Sequence, residues 1–123
     1  QMIPQEYKTR VKLDTLLLHQ SIERASLMAQ ELENNLIKLN VQDDRLTITS
    51  NSEIGKIYEE IPIVLEGKNI EIAFNARYML DVLKVTKDQE ICLDFTSNVS
   101  PCIIRPIEGE AFCYLVLPVR LYG

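Results

Sequence analysis

The sequence holds a single histidine, His19, so the Ser-His, Cys-His and H-x-x-x-H arrangements of hydrolases and metal enzymes have nothing to be built on. Glycine is scarce too: four residues scattered at turns leave no glycine-rich loop to cradle a phosphate. The three cysteines, Cys92, Cys102 and Cys113, are odd in number and share no C-x-x-C spacing, which argues against a disulfide framework, a metal centre or a redox site. They sit in apolar strand-like runs and are expected to be small, reduced, buried hydrophobes. No apolar run approaches the roughly 20 residues that a bilayer crossing needs, and no charged segment followed by an apolar one opens the chain. A soluble, intracellular protein without a membrane partner is therefore expected. Cations are in the minority, 13 Lys and Arg against 18 Asp and Glu, for a net charge of −5. A protein that grips nucleic acid with its whole surface needs clustered cations to displace counterions from the phosphates, so any DNA contact here must come from a local patch. The carboxylate pairs Asp43-Asp44 and Glu59-Glu60 fit a solvated turn and an edge strand better than an acid-base site. Neither a catalytic residue nor a cofactor is expected.

What the chain does contain is a repeated order of elements. A strand-like run from Lys8 to Leu13 meets Asp14 and a helical stretch, and a run from Ile70 to Phe74 meets Asn75 and another. Asp and Asn are favoured helix N-caps because their side-chain oxygens accept hydrogen bonds from backbone N–H groups that lack an intrahelical partner. Three strand-like runs follow each helix, which gives two β-α-β-β-β units. One helix cannot cover both faces of its sheet, so the two units are expected to pair in a single domain. The length fits one domain with a core large enough to be stable without metals or disulfides. The expected class is α+β, with two helices on one face of antiparallel sheets and approximate two-fold symmetry. Such a duplicated domain is usually a scaffold.

In the first strand Tyr7, Thr9, Val11 and Leu13 form an apolar face, and Lys8, Arg10 and Lys12 a basic stripe. The first helix, expected from Asp14 to about Leu32, puts Leu18, Ile22, Ala25, Ala29 and Leu32 on its core side. Leu36–Val41 and Leu46–Thr49 read as a hairpin around Asp43-Asp44, Ile57 to Leu65 as one continuing strand, and Glu66-Gly67-Lys68 as a turn. The second helix has Ala76, Met79, Leu80 and Leu83 as its stripe, with strands expected near residues 91–95, 102–105 and 112–117.

Several residues fit this scheme badly, and these carry the functional expectations. Leu16 and Leu27 fall opposite the core stripe of the first helix; Leu27, with Met28 at its edge, is either an ordinary exposed leucine or is covered by another subunit. The run from Ile54 to Glu60 reads as an edge strand, which either blocks pairing with its charges or pairs with a partner chain. Arg77, Asp81 and Lys84 on the second helix, with Gln20 and Arg24 on the first, are either solvated charges or a modest polar and basic surface. The C-terminal run from Tyr114 to Leu121 is either a final buried strand or one wall of an apolar groove, with Leu115, Leu117 and Val119 lining it, Val99 and Pro101 beside it and Tyr78 as a wall.

The segments EIAFNARYML (71–80), SPCIIRP (100–106) and LPVRL (117–121), together with IERASL (22–27) and IGK (54–56), resemble the C-terminal domain of the bacterial sliding clamp, the beta subunit or processivity factor of the replicative DNA polymerase. The resemblance covers essentially the whole chain and implies the DNA-clamp fold. It further implies that residues 1–6 are a linker remnant and 7–123 one domain of a three-domain chain. Subunits of the family join head to tail into a ring around duplex DNA. The resemblance implies an interface at Leu27, Met28, Ile57, Glu59 and Glu60, and DNA-facing side chains at Gln20, Arg24, Arg77 and Lys84 that hold the duplex without sequence specificity. It also implies a pocket for short linear peptides of polymerase subunits, the clamp loader and repair factors. The matching residues are Asn75, Tyr78, Val99, Pro101, Leu115, Val116, Leu117, Pro118, Val119, Arg120 and Leu121, with Met2 and Ile3 on the linker side. The rival reading is a stand-alone peptide-binding or dimerisation module that does not contact DNA.

Overall fold

The computed structural model describes residues 7–30, 32 and 35–121, and the linker expected over residues 1–6, Met2 and Ile3 included, lies outside them. In chain order the elements are β1 (Thr9–Asp14), α1 (Thr15–Ala29), β2 (Leu36–Gln42), β3 (Arg45–Ser52), β4 (Gly55–Pro62), β5 (Val64–Gly67), β6 (Ile70–Asn75), α2 (Ala76–Val85), β7 (Glu90–Phe95), β8 (Cys102–Pro106) and β9 (Tyr114–Val116). Both strand-to-helix switches sit where the cap residues place them. Asp14 and Asn75 keep extended backbones, and each side chain accepts a 2.9 Å hydrogen bond, from the N–H of Leu17 and of Arg77 respectively. Helix α1 ends at Ala29 rather than near Leu32. Beyond it the Leu32 N–H donates to the Ala29 carbonyl in a tighter i+3 bond, and Asn35 takes a φ of 46°, which an α-helix cannot contain.

The three strands after each helix pair with one another in sequence order, but the two repeats exchange their first strands. One sheet runs β5-β1-β7-β8-β9 and the other β4-β3-β2-β6, all antiparallel, so the first strand of each repeat pairs with the second strand of the other. The registers correspond: Asp14 of β1 faces Glu90 of β7, and Asn75 of β6 faces Leu36 of β2. This exchange relates the two repeats by the approximate two-fold symmetry expected of the α+β architecture.

The run expected as one strand from Ile57 to Leu65 breaks at Ile63, whose N–H turns to the Asp44 carbonyl at 3.0 Å, and β5 crosses to the other sheet beside β1. The second repeat does the same in shorter form. After β9 the Val119 N–H donates to the Ala73 carbonyl at 2.8 Å, forming a single bridge beside β6. A proline stands at both breaks, Pro62 and Pro118, where a residue without an N–H can end one ladder without leaving a donor unpaired.

One hydrophobic cluster draws on both sheets and both helices, with Leu18, Ile22, Ile48, Phe74 and Met79 fully buried in it. Helix α1 lies on β2, β3 and β4 and against α2. Cys92 and Cys102 are buried as expected, and desolvation pushes both thiols above their ordinary pKa. Cys113 is exposed, contrary to expectation, because the last strand starts only at Tyr114 and leaves it in the preceding loop. The basic stripe of β1 is partly neutralised. Arg10 donates two hydrogen bonds to buried Asp94, at 2.8 and 2.9 Å, and its guanidinium lies 4.0 Å over the Tyr7 ring. Arg105 Nε approaches the same carboxylate to 3.1 Å without the angle of a hydrogen bond.

Candidate functional site

A groove of about 380 Å³ opens between α2 and the C-terminal segment. Its floor follows from the alternation of β9. Val116 points into the core and is buried against the paired strand at Cys102, so Leu115 and Leu117 must point out, and Leu117 is 69% exposed. Pro118 then ends the strand, and the bond from Val119 to Ala73 folds the chain back beside β6. The opposite wall is α2, with Tyr78 60% exposed and Val82 one helical turn further on. Asn75 closes one end. Its Oδ1 is committed to the helix cap, which leaves the amide N–H groups as the part able to meet a ligand.

Of the expected pocket residues, Asn75, Tyr78, Leu115, Val116, Leu117, Pro118 and Val119 line the groove, and Val99, Pro101, Arg120 and Leu121 do not. Val99 is half-exposed in a turn held by a 2.8 Å contact between the Ser97 and Ser100 hydroxyls. Pro101 immediately precedes Cys102, which pairs with Val116, so it stands next to Leu117 across the strand pair. Two lining residues, Asp81 and Val82, were not expected there. The signal was their helical spacing of three and four from Tyr78.

A second hollow, about 370 Å³, lies between the helices and is lined by His19, Glu23, Arg77, Leu80, Asp81 and Lys84. It brings Arg77 and Lys84 together, and among the described residues neither forms an ion pair. Gln20 is exposed on the same helix as His19. Arg24 is engaged elsewhere: it donates to both carboxylate oxygens of Glu59, at 2.8 and 3.0 Å, from α1 across to β4. These bonds hold the Glu59 carboxyl below its ordinary pKa. Among the described residues no group of three His, Cys, Asp or Glu side chains could hold a metal ion, and no helix is long and apolar enough to cross a membrane.

The third surface is the free edge of β4. Leu27 is 59% exposed and Met28 half-buried, with its Sδ near Gly55. The strand alternates, so Ile57 and Glu59 turn toward α1, and Tyr58 and Glu60 turn away. Glu60 lies 3.3 Å from Arg45 on that other face. The five expected interface residues thus share one edge but divide between its two sides.

Residues 1–120 match the family described as the DNA polymerase III beta subunit, C-terminal domain. The chain belongs to that family. It is 43% identical over 124 residues to the beta sliding clamp of Bacillus subtilis (strain 168), and 36% identical over 123 residues to that of Staphylococcus aureus (strain Mu50 / ATCC 700699). Each alignment covers 98% of this chain and 33% of the relative. The solved structure of the DNA polymerase sliding clamp from Bacillus subtilis agrees with a TM-score of 0.93 at 43% identity, over 98% of this chain and 32% of that one. The DNA polymerase III beta subunit of Thermotoga maritima gives 0.92 at 30% identity, over 98% and 33%. This beta-subunit domain therefore has the α+β clamp fold, and it spans about a third of the length of the curated relatives it matches.

Proposed function

We propose that this chain is one domain of a ring-shaped sliding clamp that tethers the replicative polymerase to DNA in the cytoplasm, and that the groove between α2 and β9 docks linear peptides of polymerase subunits, the clamp loader and repair factors. The observation that carries the docking reading is the groove itself: outward-facing Leu115 and Leu117 opposite Tyr78, with Asn75 at the end. Such a surface takes the Leu and Phe side chains of an extended peptide, and the Asn75 amide supplies a polar anchor. A single domain supplies only part of the pocket that the family resemblance implies, so affinity in isolation is expected to be weak. Val99, Pro101, Arg120 and Leu121 then serve as rim.

Arg77 and Lys84, with Gln20, supply the duplex-facing contacts. Contacts of this kind reach phosphates without reading bases, which holds DNA while letting the ring slide. Arg24 serves the subunit edge through Glu59 more directly than it serves the hole. Leu27, Met28, Ile57 and Glu60 complete that edge, where the unpaired backbone of β4 meets a second subunit head to tail. The role is non-catalytic.

Fluorescence anisotropy with a labelled Gln-Leu-Ser-Leu-Phe peptide tests the docking reading. Leu117→Asp is expected to weaken binding at least tenfold, as loss of an apolar anchor does, with the thermal midpoint little changed because the side chain is exposed. Unchanged binding would remove the groove from the account.

A further inference from the structure

We infer that Asp81 is a specificity-determining residue of the groove, selecting peptides that carry a cation beside their apolar anchors. The inference rests on the peptide-docking reading of the same groove. Among the described residues that line the groove Asp81 alone is charged, the rest being Asn75, Tyr78 and aliphatic or proline side chains. Among the described residues its carboxylate forms no ion pair: the nearest cations on its own helix are Arg77 at i−4 and Lys84 at i+3, and neither comes within ion-pair distance of it. Asp81 also lines the hollow between the helices, so it stands where the groove and that hollow adjoin.

A carboxylate set at the border of an apolar groove does two things. It offers a lysine or arginine of the occupant an ion pair in a setting less screened than open water, and it disfavours an acidic residue at the same place. The apolar floor fixes where the peptide lies, and the charge fixes which peptides are preferred. Arg77 and Lys84 nearby reduce the field of Asp81 at longer range, so the preference is confined to a cation that reaches the carboxylate directly.

The test uses the 123-residue chain and three labelled peptides, Gln-Leu-Ser-Leu-Phe alone and the same sequence flanked by two lysines or by two glutamates at either terminus. Anisotropy titrations are run at low and at 0.5 M salt. The wild-type protein is expected to bind the lysine form about two- to fivefold more tightly than the neutral form, the range of an exposed ion pair, and the glutamate form more weakly than either. Salt should shrink the difference. Asp81→Asn should abolish the ranking, and a thermal unfolding midpoint equal to that of wild type shows that the variant is folded. A ranking that persists in Asp81→Asn, or no ranking in the wild type, overturns the inference and leaves groove docking standing. Failure of the neutral peptide to bind either protein overturns the docking reading and the inference with it.

Discussion

Glu59 links two surfaces that the sequence presents as separate. Alternation along β4 turns it toward α1, where Arg24 donates to both its oxygens. A carboxylate held below the ordinary value of about 4.3 stabilises the fold in full above that pH, and its contribution is lost as the pH falls through the folded-state pKa. Urea unfolding between pH 7 and pH 3 should therefore show part of the acid destabilisation missing in Glu59→Gln, and an identical pH slope in the two proteins would contradict this. Single residues are legible in the sequence where local geometry decides their place. Asp14 and Asn75 cap their helices, and Leu27 and Tyr78 are exposed off the core stripe. Tertiary approach alone decides the rest: Arg24 finding Glu59, Arg10 finding Asp94, and Asp81 turning toward the C-terminal segment.

Among the elements, the repeat was legible because caps and periodicity are local signals, whereas the exchange of first strands between repeats was not, since strand pairing is set by contacts distant in sequence. The crossing at Ile63 leaves no local signal, because Ile57 to Leu65 alternates without interruption other than Pro62. Once across, β5 needs a tight return. Gly67 has a φ of +100°, and a Cβ built there would lie 2.1 Å from the Lys8 carbonyl oxygen. The Lys68 N–H donates to that same carbonyl at 2.9 Å, and the Thr9 hydroxyl to the Lys68 carbonyl at 2.7 Å, which ties the end of the first repeat to its own first strand. Gly67→Ala is expected to cost about 2 kcal/mol or more, combining positive-φ strain with a backbone clash that no side-chain movement relieves. A denaturation midpoint equal to that of wild type would show that the turn relaxes freely.

At the scale of the molecule, one small α+β body carries three surfaces: a groove at α2 and the C-terminal segment, a cleft between the helices holding Arg77 and Lys84, and an open sheet edge at β4 beside Leu27. With a net charge of −5, the proposed duplex contact depends on local cations, of which that cleft holds Arg77 and Lys84. The groove is the surface a ligand can report on directly. The decisive measurement is an NMR titration of the isotope-labelled chain with unlabelled Gln-Leu-Ser-Leu-Phe peptide. The account predicts amide shifts concentrated at Tyr78, Val82, Leu115 and Leu117, with β4 and the face of α1 around Leu27 unmoved. Shifts centred on β4 or on the cleft at His19 and Lys84, with the groove silent, would contradict it.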